Sequence, residues 1–420
     1  MHPIFASLAY PDYRKYFLGQ CVSLSGSWMQ QVAMSWLVYR LTGSVFLLGF
    51  VGFCTQIPSF LLSMVAGVYV DRFNKSRLLM WAQMAFMATA LTLALFIFTG
   101  WIRVWHIIVF SLINGVITAV DTPARQALVA DLVPHRKDLG NAIALNSAVF
   151  NGTRLIGPSL GGLLIAAVGE AWCFLINGLT FSAMILALSK IRPASAFRGA
   201  RVAGVAQEIR EGFDYVMSAF SIRVLLLLLA CFSLLGVPYI VIMPAFVSEV
   251  LGGDSKMLGL VMSCIGAGAF VAALRLASNK SVSGLPWNLL VTGGLFGLSL
   301  MGMSLISTPW MAYPVFVMAG YSMISLLASI NTLIQTLVAD DKRGRVMSLY
   351  GMALMGTVPF GNLLQGVVAS SIGIQHTLLV SGIACVLVAL LYGRWFRGVR
   401  FEIRAQMRRS RVQTAFRAEV

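Results

Sequence analysis

The chain has 420 residues, of which 58% are hydrophobic and only 11% charged, with a mean hydropathy of +0.84. Soluble domains carry about 25% charged residues, so this composition cannot solvate a globular surface, and it is too apolar for a disordered chain. The formal charge of +16 suggests a nucleic-acid binder only until the basic residues are placed along the chain.

Twelve apolar segments follow one another, at 16–39, 45–70, 78–99, 105–127, 139–168, 171–189, 222–248, 256–278, 286–306, 310–338, 345–370 and 375–396. About 20 residues of helix cross the hydrocarbon core, and unbroken runs of this length are not the ~10-residue strands of a membrane barrel. The expected fold class is therefore an all-α membrane protein with 12 transmembrane helices. The first run, preceded by Arg14 and Lys15, is too long for the core of a signal peptide, so no cleaved leader is expected. With the N-terminus placed in the cytoplasm, all but four of the 31 Lys and Arg residues fall on that side. Arg40, Arg103 and Lys256 fall outside, and Arg154 alone lies within a span. The asymmetry predicts a multi-pass protein of a bacterial-type cytoplasmic (inner) membrane with both termini cytoplasmic. It also accounts for the basic charge, so no nucleic-acid partner is expected. Cys21, Cys54, Cys173, Cys231, Cys264 and Cys385 all sit inside apolar runs and read as packing residues, not metal ligands.

The longest polar interruption lies halfway along. In it Ile209, Phe213, Val216 and Met217 share one helical face, which predicts a helix lying along the membrane interface. The expected organisation is a six-helix bundle at 1–189, a cytoplasmic linker at 190–221, a second six-helix bundle at 222–396 and a basic tail at 397–420. The halves look related. Gln126-Ala-Leu-Val-Ala-Asp131 recurs as Gln335-Thr-Leu-Val-Ala-Asp340, and Leu48-Gly49-Phe50-Val51 as Leu258-Gly259-Leu260-Val261, at nearly the same offset. Parallel repeats of this kind are a transporter architecture with the binding site between the halves.

The turn between the second and third segments reads Gly67-Val-Tyr-Val-Asp71-Arg72-Phe-Asn-Lys75-Ser-Arg77. This resembles the signature of the major facilitator superfamily. Trp28-Met-Gln-Gln31, Asp121-Thr-Pro-Ala-Arg125-Gln126, Asn151-Gly-Thr-Arg154-Leu-Ile-Gly157-Pro158-Ser-Leu-Gly161-Gly162 and Arg343-Gly344-Arg345-Val-Met-Ser-Leu-Tyr350 resemble the branch that contains the enterobactin exporter and its secretion-effector relatives. The resemblance implies two parallel-related six-helix bundles with helices one, four, seven and ten lining the cavity. It also implies coupling to protons, for which the Gly-Pro-x-x-Gly of helix five resembles the antiporter motif. One departure is Ser111, which stands where many proton-coupled exporters carry an Arg in helix four.

Polar residues inside a span are costly and usually face a cavity or a partner helix. Arg154, near the middle of segment five, is the leading candidate for holding an anionic or oxygen-rich substrate group, with structural bonding to carbonyls as the alternative. Further candidates for substrate contact are Asn151, Gln30, Gln31, Ser27, Asn114, Tyr321 and Ser325, which fall on polar stripes at helical spacing; helix-to-helix glue is their alternative role. Gly67, Asp71, Arg72, Lys75, Arg77, Asp121, Arg125 and Arg345 form a candidate conformational latch, and Asp121, Glu249 and His106 are the candidate proton carriers.

The expected function is a secondary active exporter of a siderophore-like or amphipathic small molecule, working by alternating access. A lipid or lysophospholipid flippase and a siderophore importer on the same fold stay open. An enzyme is not expected, since the four histidines, His2, His106, His135 and His376, form no Ser-His or His-Glu-x-x-His arrangement. No metal site, cofactor or ATP-binding P-loop is expected. The expected partners are a small-molecule substrate, the bilayer and, by the resemblance, protons, with the protein acting as a monomer.

Overall fold

The computed structural model describes residues 3–191, 205–278, 282–306, 308–339 and 342–418. Among these, every regular element is helical. After a 3-10 turn at Pro3–Ala9 come α1 (Pro11–Thr42), α2 (Val45–Arg72), α3 (Lys75–Phe98), α4 (Val104–Leu132), α5 (Arg136–Val168) and α6 (Glu170–Ser189). The linker contributes α7 (Val205–Ser218), and residues 192–204 of the predicted linker lie outside the described residues. The seventh pass is broken. It runs as α8 (Phe220–Leu235), a 3-10 turn (Val237–Ile242), the single turn α9 (Met243–Ala245) and a π turn (Phe246–Val250). Pro238 explains the break, because its ring removes an N–H from the helical ladder. Then follow α10 (Ser255–Ser278), α11 (Leu285–Leu305) and α12 (Pro309–Leu337). The eleventh pass divides into α13 (Arg343–Met355) and α14 (Val358–Ile372), and α15 (Ile374–Ala418) carries the twelfth into the tail.

Among the described residues, ten of these passes are long and apolar enough to cross a membrane by length and composition. The other two of the twelve are α1 and α5, with 32 and 33 residues, which have the length but not the apolarity. The physical reason lies in their sequences. α1 carries Gln20, Gln30, Gln31 and four serines, and α5 carries Asn146, Asn151, Arg154 and five glycines. A helix facing lipid all round cannot tolerate such groups, whereas one sheltered by neighbours or by water can.

The chain resolves into two compact units. The first comprises Met1–Arg201, Val241–Gly266 and Asn362–Ser371, and the second Val202–Ile240, Ala267–Gly361 and Ile372–Val420. In the first, α1 packs on α5 and α6, α2 on α4, and α3 on α4 and α6. Tyr13, Tyr16, Leu79, Leu128 and Met184 are fully buried at one end of this bundle, where the Tyr13 hydroxyl donates to the Ala142 carbonyl at 2.9 Å. The N-terminal turn is strapped to the start of α5 by the Ser7 hydroxyl, which donates to Asn141 Oδ1 at 2.8 Å, and by the Tyr10 hydroxyl, which donates to Asp138 at 2.7 Å. The bond to that carboxylate pushes the Tyr10 phenol pKa up from its ordinary value.

Two glycine crossings admit later segments to this first unit. A Cβ at Gly49 of α2 would come within 2.5 Å of the Asn362 carbonyl oxygen, and one at Gly162 of α5 within 2.5 Å of the Ser255 carbonyl oxygen. Gly366 and Gly259 face them, with Cα atoms 2.7 and 2.8 Å from those hypothetical Cβ positions. Gly49 and Gly259 hold the same place in the Leu-Gly-x-Val repeat, so the repeat marks two matching backbone contacts.

In the second unit α11 packs on α12 and α15, and α15 on α8. In its core Phe296 meets Phe232 at a tilt, centroids 6.2 Å apart, and Tyr239 edge-on at 5.9 Å. The linker helix α7 is tied to α13 by Glu211, which pairs with Arg345 at 2.6 Å. Of its predicted apolar face, Val216 is buried while Phe213 and Met217 are exposed; the side chain of Ile209 lies outside the described residues.

Candidate functional site

Arg154 lies about 14 residues, or roughly 21 Å, from the Val168 end of the 33-residue α5. Its surroundings follow from the glycines of the same helix. A Cβ at Gly157 would come within 2.6 Å of Trp28 Cβ, and one at Gly161 within 3.0 Å of the Met29 carbonyl oxygen. Two missing side chains one turn apart therefore let the α1 backbone lie directly on α5. That approach brings the Trp28 ring beneath Arg154, whose guanidinium carbon sits 5.6 Å from the ring centroid. Phe150, one turn earlier on α5, meets the same indole edge-on at 5.5 Å. On its other flank, Gly266 of α10 packs against the Arg154 main chain, with a hypothetical Cβ 2.7 Å from the carbonyl oxygen.

Arg154 is half-buried, as is Trp28. A guanidinium keeps its proton at any biological pH. Lying on an aromatic face, it is held by the ring quadrupole, and its planar fork has the chemistry that matches a carboxylate or phosphate. Trp28 and Phe150 were not among the residues singled out by the polar pattern, although Trp28 lies in the Trp28-Met-Gln-Gln31 stretch. Aromatic side chains carry no such signal in a chain this apolar.

The other sequence candidates distribute themselves among several neighbours. Gln30 accepts from Asn177 Nδ2 of α6 at 2.6 Å, while Gln31, one residue on, is exposed. The Ser27 hydroxyl bonds back to the Ser23 carbonyl at 2.9 Å, and Asn151 Nδ2 to the Ser147 carbonyl at 2.8 Å. Asn114 turns to α3, where it accepts from the Thr89 hydroxyl at 2.9 Å. Ser325 is buried and accepts from Asn288 Nδ2 of α11 at 3.0 Å, as does Ser329 at 2.9 Å. Tyr321 receives a hydrogen bond from Arg275 of α10.

The latch candidates divide into separate pairs. Lys75 meets Asp131 at 2.7 Å, and Arg345 meets Glu211. Arg77 is exposed, and its main-chain N–H donates to the Asn74 side chain that caps α3. The side chains of Asp71 and Arg72, with Gly67 in the last turns of α2, lie outside the described residues. Asp121 and Arg125 form a cluster of their own inside the first unit. Arg125 donates to both Asp121 oxygens at 3.0 to 3.1 Å, and the fully buried Gln83 donates to Asp121 at 2.7 Å. Each end of the ion pair compensates the other's loss of water. Asp121→Ala should therefore strand a buried guanidinium and lower stability by about 3–5 kcal/mol. The double substitution Asp121→Ala with Arg125→Ala should recover part of that loss, as read by thermal unfolding in detergent. Strictly additive losses would contradict the pairing.

The two remaining proton-carrier candidates also have partners. Glu249, in the π turn, accepts from the Tyr39 hydroxyl of α1 at 2.6 Å. His106 Nδ1 accepts from the Arg103 main chain at 3.0 Å, with its ring against Trp105 and Phe96.

The model of the transmembrane secretion effector family matches residues 3–415. The chain belongs to this family of the major facilitator superfamily. Among curated relatives, the staphyloferrin A transporter of Staphylococcus aureus (strain NCTC 8325 / PS 47) is 28% identical over 389 residues, covering 90% of this chain and 95% of the relative. Macrolide efflux protein A of Streptococcus pyogenes is 23% identical over 386 residues, covering 89% and 93%. Among solved structures, a bacterial homologue of the human lysosomal transporter Spinster, inward-facing and unoccupied, superposes with a TM-score of 0.70. It shares 14% identity and covers 94% of this chain and 98% of its own, a likeness of fold. The chain is thus a multi-pass membrane transporter of small molecules on the major facilitator fold, and not an enzyme.

Proposed function

We propose that this secondary transporter exports an anionic, oxygen-rich small molecule of siderophore type, and that Arg154 on its Trp28 platform is a principal substrate contact. The observation that carries the reading is the half-buried guanidinium stacked 5.6 Å from the indole centroid, deep within α5. A permanent positive charge at that depth is unusual, and a guanidinium fork is the group that a ligand carboxylate or hydroxamate oxygen matches with charge-assisted bonds. A cationic drug would meet repulsion at the same point. The staphyloferrin A relative supports the substrate class, and the macrolide efflux relative supports the outward direction.

In this reading the sequence halves at 1–189 and 222–396 are the moving bodies, both termini are cytoplasmic, and the substrate site is reached from each side in turn. Coupling to protons would run through Glu249 or His106 in preference to Asp121, whose oxygens are already engaged by three hydrogen bonds from Arg125 and one from Gln83.

The test is uptake into inside-out proteoliposomes of iron-free staphyloferrin A, of its iron complex and of a macrolide. Saturable uptake of a siderophore form, abolished by Arg154→Ala, is the expected result. Macrolide transport alone, unaffected by Arg154→Ala, would overturn the reading. A lipid flippase is the second reading. It is favoured by a groove of about 460 Å³ on α1, α5 and α6, lined by Val22, Met29, Leu160 and Ile176. Scrambling of a fluorescent phospholipid by the same vesicles would select it.

A further inference from the structure

By sequence Arg275 belongs with the cytoplasmic-side charges, and in the structure it lies in the last turn of α10. An arginine there ordinarily snorkels outward along its own helix end to reach water and lipid phosphates. In this structure it instead meets a neighbouring helix. Its guanidinium lies over the Tyr321 ring, 5.8 Å from the centroid, and Nη1 donates to the Tyr321 hydroxyl.

The position of Tyr321 follows from a helix crossing. At Gly268 the helices α10 and α12 almost touch, so that a hypothetical Cβ there would sit 2.6 Å from the Tyr321 main-chain nitrogen. Arg275 is about two turns further along α10, roughly 10 Å beyond that crossing. The guanidinium is held on the Tyr321 side chain of α12, across from its own helix. No described carboxylate pairs with it, and the residue is exposed. The platform covers one face and the hydroxyl takes one of five N–H donors. The remaining edge is a planar fork directed at whatever occupies the space beside α10 and α12.

We propose that Arg275, held by Tyr321, is an anion-binding residue of the second unit, and that its ligand is a carboxylate-bearing small molecule. This rests on the reading that the chain transports an anionic solute, but it is carried by a different residue. The ligand chemistry is an oxyanion, for which an anionic lipid headgroup is the competing source.

The test is equilibrium binding of citrate, with triethyl citrate as its uncharged counterpart, to the full chain in phosphatidylcholine nanodiscs. Arg275→Gln should weaken citrate binding at least tenfold and leave the ester unaffected. Arg275→Lys should recover only part of the loss, since a point charge lacks the fork, and it replaces the glutamine variant if that protein fails to fold. Tyr321→Phe should weaken binding severalfold, because the guanidinium loses its tether. Unchanged citrate affinity in the folded Arg275 variants would overturn the proposal, even if Arg154→Gln weakens binding. Loss with Arg275→Gln but not with Arg154→Gln would sustain it while removing Arg154 from the path. Failure of the wild type to prefer citrate over its ester would overturn it. So would a citrate affinity that collapses in phosphatidylglycerol nanodiscs, because lipid phosphate would then hold the residue.

Discussion

Arg154→Ala should abolish substrate flux while the protein stays folded and monodisperse in detergent. The two halves of this expectation have different origins. Folding survives because the contacts that seat α5 are main-chain approaches at Gly157, Gly161 and Gly266, none of which involves the arginine side chain. Truncation also removes a charge from the span, which relieves a cost. Flux fails because an oxyanion brought to that depth would lose the guanidinium that α5 places there. A charge-assisted bond contributes about 1.5–3 kcal/mol net, so substrate affinity should fall by roughly ten- to more than a hundredfold. Arg154→Lys should keep a fraction of the flux, because charge returns without the planar fork or the full stacking on Trp28. Initial rates in proteoliposomes, set beside melting curves of the same preparations, would separate the two effects. Full transport by the alanine variant would sink the assignment.

Gly162→Val should reduce transport at least tenfold, and Gly49→Val should do the same. At both crossings the neighbour in the way is backbone: the Ser255 and Asn362 carbonyl oxygens, each 2.5 Å from the hypothetical Cβ. Backbone cannot rotate aside as a side chain can, so the helices must separate. Overpacking of this kind costs about 1–3 kcal/mol, enough to deplete the arrangement in which these helices touch by roughly five- to more than a hundredfold. If the transport cycle passes through that arrangement, turnover falls with its population. Gly162→Ala should be milder than valine. Because the crossings sit at matching places in the internal repeat, the two valine variants should produce similar defects, which initial-rate measurements on both would check. Normal turnover by either would show that its contact can be dispensed with.

Length, apolar runs and the Gly67 to Arg77 motif were enough to read twelve passes and the superfamily, because lipid imposes a coarse and regular pattern on any chain that crosses it. Arg154 was legible for the same reason, as a charge in a place where charges are expensive. Partner choice was not legible. Helical spacing puts Gln30, Asn114 and Ser325 on stripes, but it does not reveal that Asn177, Thr89 and Asn288 on adjacent helices cover them. The latch candidates whose side chains are described fall into separate pairs for a related reason. Asp121, Arg125 and Arg345 were grouped by nearness to one membrane face, while the structure pairs the first two directly, with Gln83 donating to Asp121, and sends the third to Glu211 on the linker helix. Arg275 was assigned by where its Cα falls, and a side chain as long as arginine can act well away from that point.

The polarity of α1 and α5 bears on how the protein is made. A segment too polar to partition into lipid by itself does not settle in a bilayer as it leaves the ribosome; it stays only when a neighbour shields its amides and charge. α6 follows α5 after the single residue Gly169 and packs against α1, so both reluctant helices acquire cover only once the sixth pass has been synthesised. Integration of α1 and α5 should accordingly be a late event, and in nascent chains stopped before Glu170 these two segments should stay accessible to water while α2, α3 and α4 are already inserted.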